Sequence, residues 1–162
     1  MLSWQLYRNI ENSLADFLTA QITADNVTDI NGNAVSLRVS RKVNKNWTLP
    51  CITLYFESET AVRAFVGSNQ RDDRQLLILD IFATNEGERL DLAKWLTDTI
   101  NDGWRYYSYT ANPANPDSPT KVAGGWVNVD FETNGRVDLG QDVDQFDAHR
   151  HRISINVWIG GS

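Results

Sequence analysis

Hydrophobic positions near the start of the chain recur at helical spacing: Trp4, Tyr7, Ile10, Leu14, Phe17, Leu18 and Ile22. That pattern predicts an amphipathic helix over residues 3–22, with Ser3 placed to cap it. After turn material at 25–33 the period changes to two. In "AVSLRVSRKV" (34–43) Val35, Leu37 and Val39 share one face and Ser36, Arg38, Ser40 and Lys42 the other, which predicts a strand wet on one side. "LPCITLYFES" (49–58) sets Ile52, Leu54 and Phe56 opposite Thr53 and Tyr55, a second such strand led in by Pro50. "LLILDIFA" (76–83) is apolar on both faces apart from Asp80, as a strand covered on both sides would be. A helix follows directly. Asn85 and Glu88 resemble a capping box, Leu92, Trp95, Leu96, Thr99 and Ile100 form a stripe, and Gly103 ends it. Two more alternating stretches predict strands: "WVNVDFET" (126–133), with Val127, Val129 and Phe131 inward, and "HRISINVWIG" (151–160), with Ile153, Ile155, Val157 and Ile159 inward.

Two stretches lack sustained periodicity. "ESETAVRAFVGSNQRDDRQ" (57–75) reads as an exposed loop or short helical turn, and "WRYYSYTANPANPDSPTKVAGG" (104–125), with three prolines and a Gly pair, as the most irregular part of the chain. Too little chain follows for a second core, so residues 1–162 are expected to form one domain. The expected fold class is α+β: a mostly antiparallel sheet of about five strands with two amphipathic helices on one face.

Charge narrows the function. The 162 residues hold 21 acidic and 15 basic side chains, a formal charge of −6, with a pI near 4.8. A dedicated nucleic-acid binder would show the opposite balance. The N-terminus lacks the continuous apolar stretch of a signal peptide and no apolar run reaches membrane-spanning length, so synthesis in a reducing cytoplasm and no membrane partner are expected. The single cysteine, Cys51, follows a proline at a strand start without a basic neighbour, which makes it a small core residue rather than a nucleophile. Six tryptophans and five tyrosines are a large aromatic load. Most are expected in the core, with the rest available to interfaces.

The densest polar stretch is "VDLGQDVDQFDAHRHR" (137–152). As a calcium loop of the EF-hand type it fails: Phe146 breaks the alternation begun by Asp142 and Asp144, Asp147 stands where Gly belongs, and Ile153 replaces the closing Glu. A metal-assisted hydrolase would be centred on Asp142, Asp144, His149 and His151. Strand alternation, however, puts both histidines on the face of Ile153 and Ile155, which is the core face or its lip. Arg150 and Arg152 fall on the opposite face, free to pair with carboxylates of a neighbouring strand or subunit. No phosphate loop or nucleophile–histidine arrangement is present elsewhere, and nothing demands an enzyme, a cofactor or a metal.

Three strings together, "LPCITLYFES", "LLILDIFATNEGERLDLAKWLTDTI" and "GRVDLGQDVDQFDAHRHRISINVWI", resemble the tail-terminator proteins of tailed bacteriophages, over most of residues 2–159. Head-completion and stopper proteins of the phage neck share similar size and strand content and are the alternative within that resemblance. It implies a virion protein, assembled in the host cytoplasm, that forms a ring, commonly of six copies, on the head-proximal end of the tail tube. Such a ring ends tube polymerisation and joins the tail to the head connector, with no cofactor. The implied partners are further copies of the chain, the tail tube protein and a head-completion or connector protein, while DNA crosses the lumen without specific binding. Candidate contacts are the charged stretches Arg63, Arg71, Asp72, Asp73 and Arg74, then Asp138, Asp142 and Asp144, and the outward Arg150 and Arg152. The loop from Asn112 to Pro119 is expected to order on assembly.

Overall fold

The computed structural model describes residues 4–63, 71–110, 114, 118–137 and 146–160, with the backbone alone at 61–63 and 71–73. Two helices, α1 (Leu6–Ala24) and α2 (Glu86–Ile100), accompany six strands: β1 (Ser36–Val39), β2 (Cys51–Arg63), β3 (Arg71–Ala83), β4 (Trp104–Thr110), β5 (Thr120–Arg136) and β6 (His149–Gly160). The strands form one sheet in the order β1-β2-β3-β6-β5-β4. β1 pairs with β2 in parallel, and the other neighbours run antiparallel.

The expected α+β class and the two helices on one sheet face are found, with three corrections. The sheet has six strands rather than about five, because "WRYYSYT" is β4. Trp104 and Tyr106 are buried two apart, but across the register shift between Arg105 and Tyr107 the next buried ring is Tyr109, three positions on, which breaks the alternation. The stretch 57–75 is not a loop or a helical turn where it is described: β2 and β3 pair out to Arg63↔Arg71, placing Arg63, Arg71, Asp72, Asp73 and Arg74 in strands. β6 pairs with β3 only between Gln75 and Ala83, so the outer part of this hairpin is a two-stranded ribbon. The β3 half of the ribbon, residues 71–74, is polar at every position, so it carries no alternation to read. Finally, β5 begins at Thr120, and its Gly pair belongs to the strand. A Cβ on Gly124 would stand 2.7 Å from the Tyr106 ring, so the close approach of β4 requires glycine there.

A single apolar core lies between the sheet and both helices. Ile10, Leu14 and Leu18 from α1 and Leu92, Leu96 and Ile100 from α2 pack on residues such as Leu54, Leu79, Ile81, Val127, Ile153 and Ile155. Each such side chain contributes roughly 1.5–3 kcal/mol on burial. α2 begins as expected: the Asn85 side chain accepts the Glu88 N–H at 2.9 Å. Glu88 returns the bond to the Thr84 N–H at 2.8 Å instead of that of Asn85. Gly103 then turns the chain into β4 at a φ of 77°. α1 is preceded by Gln5 with no side-chain cap, and Ser3 lies outside the described residues.

α1 also closes the free edge of β4. The Tyr107 N–H donates to Ser13 Oγ at 2.9 Å, that hydroxyl donates to the Tyr107 carbonyl at 3.2 Å, and the Tyr109 N–H reaches Asn9 Oδ1 at 3.4 Å. An edge whose backbone is satisfied in this way is a poor template for adding a strand.

Candidate functional site

Among the described residues, the second face of the sheet carries no helix. One end is covered by a small cluster of Cys51, Phe82 and Phe146, joined by Val43, Trp47 and Leu49. Beyond that cluster lies Asp80, the one polar residue in the "LLILDIFA" string. Its register partner is Arg152, whose Nε and Nη2 donate to Asp80 Oδ1 at 2.8 Å and Oδ2 at 3.0 Å. Arg150, across from Phe82, adds a donor to Oδ2 at 2.6 Å. Asp80 is only 1 % exposed, because two guanidiniums roof it over. The paired carboxylate holds the Arg152 guanidinium above its ordinary pKa range. Arg150 also lies 4.9 Å over the Phe82 ring and 3.6 Å from Asp147.

The arrangement continues across the open face. Arg74 donates to Asp130 at 3.0 Å and lies 4.5 Å over the Trp158 ring. On the other side of Asp80, Arg41 pairs with Glu57 at 3.3 Å and sits 5.9 Å from the Tyr55 ring centre. Burial raises the Tyr55 phenol above its usual range, opposed by Arg152. The face is thus a field of guanidinium–carboxylate pairs seated on aromatic rings, which is the composition that protein interfaces favour.

The histidines occupy the opposite face. His151 is buried beside α2, where Arg89 Nη1 lies 2.5 Å from its Nδ1 and Asn134 Oδ1 lies 2.6 Å from its Nε2. An arginine can only donate, so Nδ1 accepts and the proton resides on Nε2. Burial first, and Arg89 second, push the His151 pKa down. Arg89 is anchored by Glu86, with Nε to Oε2 at 3.1 Å. That hydrogen bond is the main reason the Glu86 carboxyl falls to about 2. Asn134 extends the chain of contacts to Thr97 at 3.0 Å. His149 stands 3.5 Å from Glu86. Every lone pair that His151 would lend a metal is already used.

Of the residues expected to matter, Arg150 and Arg152 come together over Asp80 of the neighbouring strand β3, and Arg74 shares the open face, paired with Asp130 of β5. Arg150 and Arg152 close on Asp80 of their own subunit. Arg63, Arg71, Asp72 and Asp73 lie in the ribbon, where the backbone alone is described, and Asp138, Asp142 and Asp144 lie outside the described residues. The Asn112–Pro119 loop also falls mostly outside them. Among the described residues no three His, Cys, Asp or Glu side chains gather as a metal site. Cys51 is fully buried, and burial raises its thiol to about 11. The aromatic load is less internal than expected: Trp104 alone among the described tryptophans is buried, whereas Trp4 is 89 % and Trp126 38 % exposed. Asp80, Asp130 and Trp158 escaped sequence reading as a site because sheet pairing assembles them from separate strands. The signal for Asp80 was its isolation in an apolar string. No family model matches the chain, and no curated protein matches it in sequence.

Proposed function

We propose that the protein is a structural subunit of a phage tail or neck, and specifically a terminator. Copies form a ring on the head-proximal end of the tail tube, end its polymerisation and join it to the head connector. The observation that carries this reading is the spatial coherence of the resemblance. Its three strings supply β2, β3 with α2, and the end of β5 with β6, and β2, β3 and β6 are adjacent in the sheet. The resemblance therefore rests on one contiguous block rather than on scattered segments. A two-layer subunit with helices on one side and a face of ion pairs and aromatics on the other also suits ring assembly, because a closed ring needs two unlike surfaces on each copy. In this reading the open sheet face is a subunit or tube contact. The chain performs no bond-making step and needs no cofactor.

Electron microscopy and native mass spectrometry of the protein, alone and with tube subunits, test the proposal. Rings, and tubes capped at one end, are expected. Tubes that lengthen unchanged in the presence of a strictly monomeric chain would refute it, and rings that bind a connector but never a tube would make the chain a head-completion or stopper protein.

A further inference from the structure

α1 packs over β1, β2 and β4, whereas α2 packs over β3 and β6. Between the two helices runs an open furrow of about 440 Å³, walled by Phe17, Trp95 and Trp126 and rimmed by Asp25, Asp98 and Asp102. Among the described residues no lysine or arginine lines it. The indoles are held in place by the acidic residues themselves: Trp95 Nε1 donates to Asp25 Oδ2 at 3.0 Å, and Trp126 Nε1 donates to the Asp102 carbonyl at 2.9 Å. Phe17 stacks on the buried Trp104, 6.4 Å between centres. Three aromatic rings beside three carboxylates favour a cation and repel a phosphate.

We propose that this furrow seats an arginine side chain presented by an exposed segment of a different protein. A guanidinium stacks on an indole and forks to a carboxylate at once, which a lysine ammonium does not do. Most of the chain's described arginine side chains are already engaged, although Arg8 on α1 is exposed. Arg41, Arg74 and Arg89 pair with Glu57, Asp130 and Glu86, Arg150 and Arg152 close on Asp80, and Arg105 donates to the Gly124 carbonyl while lying 5.7 Å from the Trp126 ring. The rim carboxylates are engaged only at the surface, Asp98 with Lys94 at 2.9 Å and Asp102 with Asn101 at 3.3 Å. Exposed pairs of that kind are displaced at little cost. On the ring reading the furrow opens on the helix side, away from the sheet face, and would take a partner other than the one that covers the sheet. The recognition of arginine does not depend on that reading.

Titration of the full chain with the blocked peptides Gly-Arg-Gly, Gly-citrulline-Gly and Gly-Lys-Gly, followed by the indole N–H resonances, tests the proposal. The arginine peptide is expected to shift Trp95 and Trp126 saturably in the millimolar range and at least about tenfold more tightly than the neutral citrulline isostere. Trp4 and Trp158 should stay still. Asp98→Asn with Asp102→Asn should weaken binding by about tenfold or more, while an unmoved Trp104 resonance verifies the fold. Equal binding of citrulline or lysine, indifference to the double substitution, or no shift of either indole would overturn the proposal. Self-association of the chain that the arginine peptide competes away, seen by sedimentation, would make the occupant a second copy and overturn the assignment to a different protein. None of these outcomes alters whether rings form on tubes, so the two readings fail separately.

Discussion

Asp80 concentrates the energetics of the open face in one carboxylate. It is almost fully buried and accepts from two arginines, so removing it strands two cations over an apolar strand. Breaking a buried pair costs roughly 3–5 kcal/mol, but both guanidiniums keep some solvent, which brings the expectation for Asp80→Ala to about 2–4 kcal/mol. Urea unfolding should show that loss, and Arg150→Ala should lose distinctly less because Arg152 still closes on the carboxylate. An Asp80→Ala loss below that of Arg150→Ala would contradict the geometry. His151 gives a pH signature of known sign. Its pKa is lowered from 6.5 in the folded state, so the folded chain binds fewer protons than the unfolded chain just below that value. The stabilising contribution is therefore complete above pH 6.5 and is lost as pH falls below it, towards the folded pKa. Glu86 acts in a separate window, from 4.5 down to about 2. His151→Gln should flatten the stability profile just below pH 6.5 while leaving the more acidic decline in place.

At the scale of elements, α2 was the most legible part of the chain, because a capping side chain, an apolar stripe and a terminal glycine agree within one segment. The Asn85 bond to the Glu88 N–H predicts that Asn85→Ala lowers stability by about 1 kcal/mol. An unchanged denaturation midpoint would mean that the Glu88–Thr84 bonds alone hold the first turn. The strands divide by what covers them. β2 at its start and β6 alternate visibly because one face of each meets the core, whereas the end of β3 is apolar on both faces apart from Asp80 and the β3 half of the ribbon, residues 71–74, is polar at every position, so neither alternates. β4 was hidden differently, by a register shift after which Tyr109 falls out of the alternation that Trp104 and Tyr106 begin. The candidate site follows the same logic. Outward Arg150 and Arg152 could be read from strand parity and their need for a carboxylate from chemistry. That the carboxylate is Asp80 is a fact of which strands pair, and pairing of β3 with β6 across about seventy residues leaves no local trace.

At the scale of the whole molecule, the two sides of the subunit differ in kind, and the difference can be tested without knowing the partner. The sheet side presents Arg74, Asp130 and Trp158 as one contact set. Asp130 is 60 % exposed at its side chain, and an exposed pair contributes at most about 1 kcal/mol. Asp130→Arg should therefore leave thermal stability nearly unchanged. If the sheet face is a subunit or tube contact, the same substitution should abolish ring formation on tubes, because it sets a new cation beside Arg74 where the wild-type surface is balanced. The swap Arg74→Asp with Asp130→Arg separates local from assembly effects. It restores an ion pair within the subunit but exchanges the positions of the two charges presented outward, so stability should return while ring formation should not. Full assembly by the single variant would show that the sheet face is not the contact surface. Full assembly by the swap alone would show that the pair matters only for holding the Trp158 side chain in place.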